Sequence, residues 1–204
     1  MADEAARSEQ QKEKSGSTRE AHSFPTCFRT FRSHQEYLNV ERSRRFLMEG
    51  GYYWGPLSSA EARRLLHGKP IGTFLVRDSS DKKHFFSLSV VTTHGPTCVR
   101  VGFEQGRFTL LGHGEPPELV PSFPCIIELL EHYVHAGSRG APWLTHGNGS
   151  RSQLFLARPL QHCLGSLQHA CRRAVHRAVP QDKLRQLRLP DPLLQFLEEY
   201  PSSV

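Results

Sequence analysis

The run Gly72-Thr73-Phe74-Leu75-Val76-Arg77-Asp78-Ser79-Ser80 constrains this chain more than any other stretch. Four apolar or β-branched residues between turn-formers predict a buried strand. That strand ends on one arginine, followed at once by hydroxyl residues. A buried guanidinium is costly unless an anion meets it. It holds a phosphate through two parallel hydrogen bonds, which an ammonium cannot do. Ser79 and Ser80 add donors, and Asp81-Lys82-Lys83 adds backbone N–H groups and positive charge. The run therefore predicts a phosphate socket floored by Arg77. The plain alternative is a structural arginine paired with a nearby acid.

The flanking segments predict a compact mixed domain. Ser58 or Ser59 can cap a helix through Ala60–Leu66, which Gly68 and Pro70 end. Phe86, Leu88 and Val90 alternate with Ser87 and Ser89, a period of two. A turn at His94-Gly95-Pro96 leads to a second alternating strand. There Val99, Val101 and Phe103 share one face, so Arg100 projects from the other and can join Arg77. Gly106–Gly112 predicts another short strand. Pro124–Val134 has helical apolar spacing, with a proline suited to the first turn and Gly137 beyond the end.

Helix, antiparallel sheet and helix around a strand-end arginine resemble the Src homology 2 (SH2) domain. The motif Phe74-Leu75-Val76-Arg77 and the opening Trp54 carry the resemblance, which spans residues 50–155. The expected class is α+β: a central antiparallel sheet flanked by two helices, followed by a short all-α box. The resemblance implies a phosphotyrosine-peptide module, with Arg77 beneath the phosphate and Ser79, Ser80 and Arg100 completing its shell. Cys98 stands where many such domains carry a histidine.

Ahead of the domain, Phe28-Arg29-Thr30-Phe31-Arg32 alternates aromatics with arginines in a region poor in other apolar residues. Such a string reads as a docking peptide. A strand edge or an aromatic tucked onto the core remains the alternative. The string resembles the kinase inhibitory region of the suppressor of cytokine signalling family, assigned here to residues 24–34. The resemblance implies a pseudosubstrate for Janus kinases. In it, Arg29 or its neighbour takes the acceptor position, Phe28 and Phe31 fill apolar pockets, and Arg32 meets acidic groups. Residues 35–49, with Leu38, Phe46, Leu47 and Met48 as the apolar face, predict a helix packed on the domain. A solvated charged linker is the alternative.

At the C-terminal end, Leu167, Cys171 and Val175 recur every four residues, a small apolar ridge on a helix. Pro180 breaks that helix. Leu187-Arg188-Leu189-Pro190 and Leu193–Leu197 follow. Residues 159–204 resemble the suppressor-of-cytokine-signalling box. The resemblance implies binding of elongin B and elongin C, with Leu167, Cys171 and Val175 as anchors. It also implies a cullin of type five at Leu189 and Pro190, although Arg188 and Phe196 depart from the family pattern. An ordinary helical cap on the domain is the alternative.

Composition bounds the rest. In 204 residues the hydrophobic fraction is 37%, low for a fully packed globule, and residues 1–23 read as a disordered tail. Residues 137–152, rich in Gly and Ser, read as a long loop. The net charge of +6 favours acidic partners, but no nucleic-acid motif accompanies it. No apolar run is long enough to span a membrane, and the first residues lack the apolar core of a signal peptide, so no leader is expected. Five cysteines at irregular spacing predict free thiols and a cytoplasmic, or also nuclear, location. His162, His169 and His176 lie too far apart for one metal ion. Neither a nucleotide loop nor a phosphatase Cys–Arg pair is present, so no metal, cofactor or catalysis is expected. The expected receptors carry phosphotyrosine. The competing function is an adaptor that only occupies docking sites on cytokine receptors.

Overall fold

The computed structural model describes residues 31–111, 120–136, 143–145 and 151–200. Helix α1 (His34–Glu49) is capped by Ser33, whose hydroxyl accepts from the Glu36 N–H. Helix α2 (Ser59–Leu66) starts in a reciprocal box: Ser58 Oγ accepts from the Glu61 N–H and the Glu61 carboxylate accepts from the Ser58 N–H. Four antiparallel strands follow, β1 (Thr73–Asp78), β2 (Phe86–Thr92), β3 (Gly95–Glu104) and β4 (Arg107–Leu110). Helix α3 (Ile126–Ala136) comes next. A two-stranded antiparallel ribbon joins β5 (Trp143–Thr145) to β6 (Arg151–Gln153), and β7 (Arg158–Pro159) runs parallel to β1. The main sheet has the order β4-β3-β2-β1-β7. At its C-terminal side stand α4 (Leu167–Ala178), a 3₁₀ turn at Gln181–Gln186, and α5 (Asp191–Glu199).

Side-chain alternation divides the sheet into two faces. Phe74, Val76, Phe86, Leu88, Val90, Val99 and Val101 join the larger core with α1 and α3. Leu75 and Val91 pack with Ala62 and Leu66 of α2 on the other face. Every residue of β2 is buried, because both faces are covered. The α+β expectation of a helix-flanked antiparallel sheet with a helical box is met.

Several boundaries differ from expectation. The β2–β3 turn is Thr93-His94, and Gly95 and Pro96 are paired residues of β3 opposite Thr92 and Val91. Proline is tolerated there because β4 pairs only with Val101–Glu104, so β3 is an edge at Pro96. Pro124 precedes α3 rather than opening it. The N–H of Ile126 is instead taken by Ser43 Oγ at 3.2 Å, a cap supplied by another helix. In α1, Val40, Ser43, Phe46 and Leu47 are buried, whereas Leu38 and Met48 face solvent. The stretch read as one long loop contains β5 and β6. The tail at 1–23, Phe28, Arg29 and Thr30 lie outside the described residues. Gly72, at φ +83°, enters β1 where a Cβ would lie 2.6 Å from the Phe155 ring.

Candidate functional site

Strand pairing assembles the socket. Arg77 pairs with Ser87, and Ser87 with Arg100, so the three form one row across β1, β2 and β3. The adjacent row on the same face is Leu75, Ser89 and Cys98. Helix α2 leans over these rows, with Ser59 Oγ 3.3 Å from Cys98 Sγ.

Arg77 is 3% exposed. Its Nε donates to Ser89 Oγ (3.3 Å), and Nη1 donates to the carbonyls of Asp78 (3.0 Å) and Leu57 (3.4 Å). Nη2 donates to Cys98 Sγ at 3.6 Å. Among the described residues no carboxylate lies within ion-pairing distance of it. The guanidinium is held by neutral acceptors beside a cavity of about 590 Å³. Ser79, Ser80, His84, Ser87 and Arg100 also line that cavity. The structural-arginine alternative requires an acidic partner, and none is present among the described residues.

Arg100 sits at the rim, 64% exposed, with Nε 3.7 Å from Asp81 Oδ2. Asp81 also accepts the Lys83 N–H and lies 3.9 Å from the His84 ring. That N–H bond lowers the Asp81 carboxyl below its ordinary range, with His84, Arg100 and Lys83 adding to the effect. The loop's contribution therefore differs from expectation. The Asp81 N–H goes to Ser79 Oγ and the Lys83 N–H to Asp81, so both are used inside the loop rather than offered to a ligand. Burial pushes the Cys98 thiol up, but bonds to Ser59, Ser89 and Arg77 and the Arg77 charge outweigh it. The net result lies below the ordinary thiol value.

All four expected socket residues, Arg77, Ser79, Ser80 and Arg100, line one cavity. Sequence reasoning did not single out Ser59, Arg63, His84 or His94, which line it too. Ser59 and Arg63 are one helical turn apart on α2, a spacing visible in the sequence once the Ser58 cap is placed.

Of the inhibitory string, Phe31 and Arg32 lie within the described residues. Phe31 stacks flat on Phe85 (5.6 Å between centroids, 4° between planes) and meets Tyr37 edge-on. The Arg32 N–H donates to Glu36 at 2.8 Å. Phe31 thus rests on the domain's own aromatic cluster, the placement that its alternative reading describes.

Helix α4 turns Leu167 (81% exposed), Ala170, Cys171 and Ala174 outward, with Val175 half-buried. Leu164, just before it, is 92% exposed. The opposite face docks on α1. Buried Arg172 pairs with Glu49 at 2.5 Å, donates to the Phe196 carbonyl, and lies 4.0 Å from the Phe196 ring centroid. Tyr200 packs edge-on against Phe46 and His169. Arg42 and Arg45 of α1 both reach Glu199. Leu189 is partly exposed in the extended link Leu187–Pro190, and Pro190 precedes α5. Among the described residues no helix is long and apolar enough to cross a membrane, and no group of three or more His, Cys, Asp or Glu could hold a metal ion.

Comparison with known proteins accords with this geometry. The SH2 domain model matches residues 52–133, and the SOCS box model matches residues 163–198. Suppressor of cytokine signaling 1 of Mus musculus is 40% identical over 180 residues, covering 88% of this chain and 75% of that protein. Suppressor of cytokine signaling 3 of Gallus gallus is 36% identical over 185 residues, covering 84% and 88%. An SH2 fold carrying an uncompensated buried arginine, an SOCS box behind it, and this similarity over most of both chains place the protein in the suppressor of cytokine signalling family.

Proposed function

We propose that this chain is a negative regulator of cytokine signalling that captures phosphotyrosine and brings the captured protein to a ubiquitin ligase. The observation that carries it is Arg77: a guanidinium 3% exposed, without a carboxylate partner among the described residues, bordering a cavity of about 590 Å³. Arg77 takes two phosphate oxygens, Ser79 and Ser80 donate to the ester, and Arg100 closes the rim. The tyrosine's length suits it to an arginine at the cavity floor. The ligands are phosphotyrosines of activated Janus kinases and cytokine receptors. The chain performs no catalysis itself. Leu167, Cys171 and Val175 present an apolar ridge for elongin C, which brings elongin B, and Leu189-Pro190 faces a cullin of type five.

Once the socket is filled, Phe28-Arg29-Thr30-Phe31-Arg32 lies in the kinase's substrate groove as a pseudosubstrate without an acceptor hydroxyl. A tether raises the local concentration of so short a peptide to the millimolar range. The stacking of Phe31 on Phe85 supports a second reading, an adaptor that only competes for docking sites. An assay of a purified Janus kinase domain separates the two. Phe31→Ala abolishes inhibition while leaving phosphopeptide affinity alone if the string is a pseudosubstrate, and inhibition that persists rules this out. Calorimetry with a tyrosine peptide and its phosphorylated form tests capture itself. Equal affinity for the two overturns the proposal.

A further inference from the structure

The cavity that holds Arg77 extends past the space one phosphate occupies. Its described lining includes Arg63 and His94 as well as Arg77, His84 and Arg100, and no Asp or Glu. The sheet register shows where these groups stand. Arg77 and Arg100 belong to one row, Cys98 to the next, and Pro96, paired with Val91, to the row beyond. Each row lies about 7 Å further along the strands. Ser59, at the start of α2, touches Cys98. Arg63 follows it by four residues on the same helical face, about 6 Å further along the axis. Leu66, later in α2, packs with Val91, the partner of Pro96, so the helix runs toward the hairpin and Arg63 lies at that end with His94, while the phosphate socket lies at the other.

Arg63 is exposed and has no ion pair or hydrogen bond among the described residues. Ser79, Ser80 and the Asp81-bound Arg100 surround the Arg77 end. Among the described residues, the hairpin end of the cavity has an unpaired cation, Arg63, and its lining there holds no Asp or Glu. We infer that Arg63 forms a second anion subsite, which takes an acidic group of the ligand flanking the phosphotyrosine: a carboxylate side chain or a second phosphate. His94 borders the same end. This inference rests on the phosphotyrosine reading of the socket and adds to it a preference for ligands carrying two anionic groups.

The test is calorimetry on the full chain with three kinds of phosphotyrosine peptide. One has neutral flanks, one has a glutamate two residues before or two residues after the phosphotyrosine, and one has a second phosphotyrosine at those places. Glutamate on one side is expected to tighten binding about three- to fivefold at physiological salt, with the gain vanishing near 1 M salt. The second phosphotyrosine, with its larger charge, is expected to gain more. Arg63→Gln should erase both gains and leave the neutral-flank peptide within about twofold. No gain at either position overturns the inference, and so does a gain that survives Arg63→Gln. An equal loss for all three peptides on Arg63→Gln would make Arg63 part of the first phosphate shell and also overturns it. If the neutral-flank peptide fails to bind while its unphosphorylated form binds no worse, the phosphotyrosine reading itself falls.

Discussion

Arg77 couples burial to recognition. Its neutral acceptors orient the guanidinium without neutralising it, so the charge is available to a ligand. Arg77→Lys keeps the charge but loses the paired geometry. It should weaken phosphotyrosine-peptide binding by about 2–5 kcal/mol, read as a shift in dissociation constant. The hydroxyls of Ser87 and Ser89 belong to a pattern that alternation makes visible, since they occupy the face opposite Phe86, Leu88 and Val90. What alternation could not give is Cys98 within reach of Arg77, because that contact depends on the pairing of β2 with β3. Ser58 is a second residue whose role is local. Ser58→Ala removes its hydroxyl acceptor from the capping box and should cost about 1 kcal/mol in thermal unfolding. An unchanged melting temperature would show that α2 is held by its packing alone.

Among the elements, α1 does the most joining. Ser43 caps α3, Asn39 donates to the Gly106 carbonyl in the β3–β4 turn, and Glu49 anchors Arg172 of α4. Its helical character was legible in the sequence, and so was half of the expected apolar face, since Phe46 and Leu47 are buried. Leu38 and Met48 are the other apolar residues that hydropathy would turn inward, yet Ser43 is buried and they are not. The reason is that α3 needs a cap, and a small hydroxyl at the crossing provides one. The Arg172–Glu49 contact ties the box to the domain. Arg172→Ala leaves Glu49 unpaired and removes the packing over Phe196, so box docking should weaken by about 2 kcal/mol. Hydrogen exchange of α4 and α5 amides would report it as faster exchange confined to those helices. Protection unchanged from the parent would show that Tyr200 alone secures the box. On the outer face of α4, Leu167→Asp should abolish co-purification with elongins B and C without altering phosphopeptide binding.

At the scale of the molecule, the box-to-domain interface makes stability depend on pH. Burial, reinforced by the charges of Arg172 and Arg173, pushes the His169 imidazole down to about 4. Burial lowers His176 as well. In the unfolded chain both take up protons near the ordinary value of 6.5. Between these limits the unfolded state binds more protons than the folded one, so stability falls as pH drops from about 6.5 toward 4. The loss from His169 should reach roughly 3 kcal/mol, at about 1.4 kcal/mol per pKa unit. Urea midpoints measured at about pH 7.5 and pH 5 should show about 2 kcal/mol of it, and His169→Phe should remove most of the difference. Equal midpoints in the parent chain would mean that His169 is not held neutral by burial.

The sequence by itself determined helices α1 to α4 and strands β1 to β4, the strand-end arginine, the family motifs at both ends and the apolar ridge of α4, but not β5, β6 or β7. These are local signals: alternation, capping residues and four-residue spacing follow from chain geometry. Tertiary structure alone decided which groups converge. It fixed the register that sets Arg100, whose face alternation had already given, in the row of Arg77, brought Arg63 and His94 to the far end of the same cavity, and set Phe31 on Phe85. It also joined Arg172 to Glu49 across 123 positions of chain. Such contacts depend on strand register and helix crossing, which arise from the packing of the whole core and leave no periodic trace in any one segment.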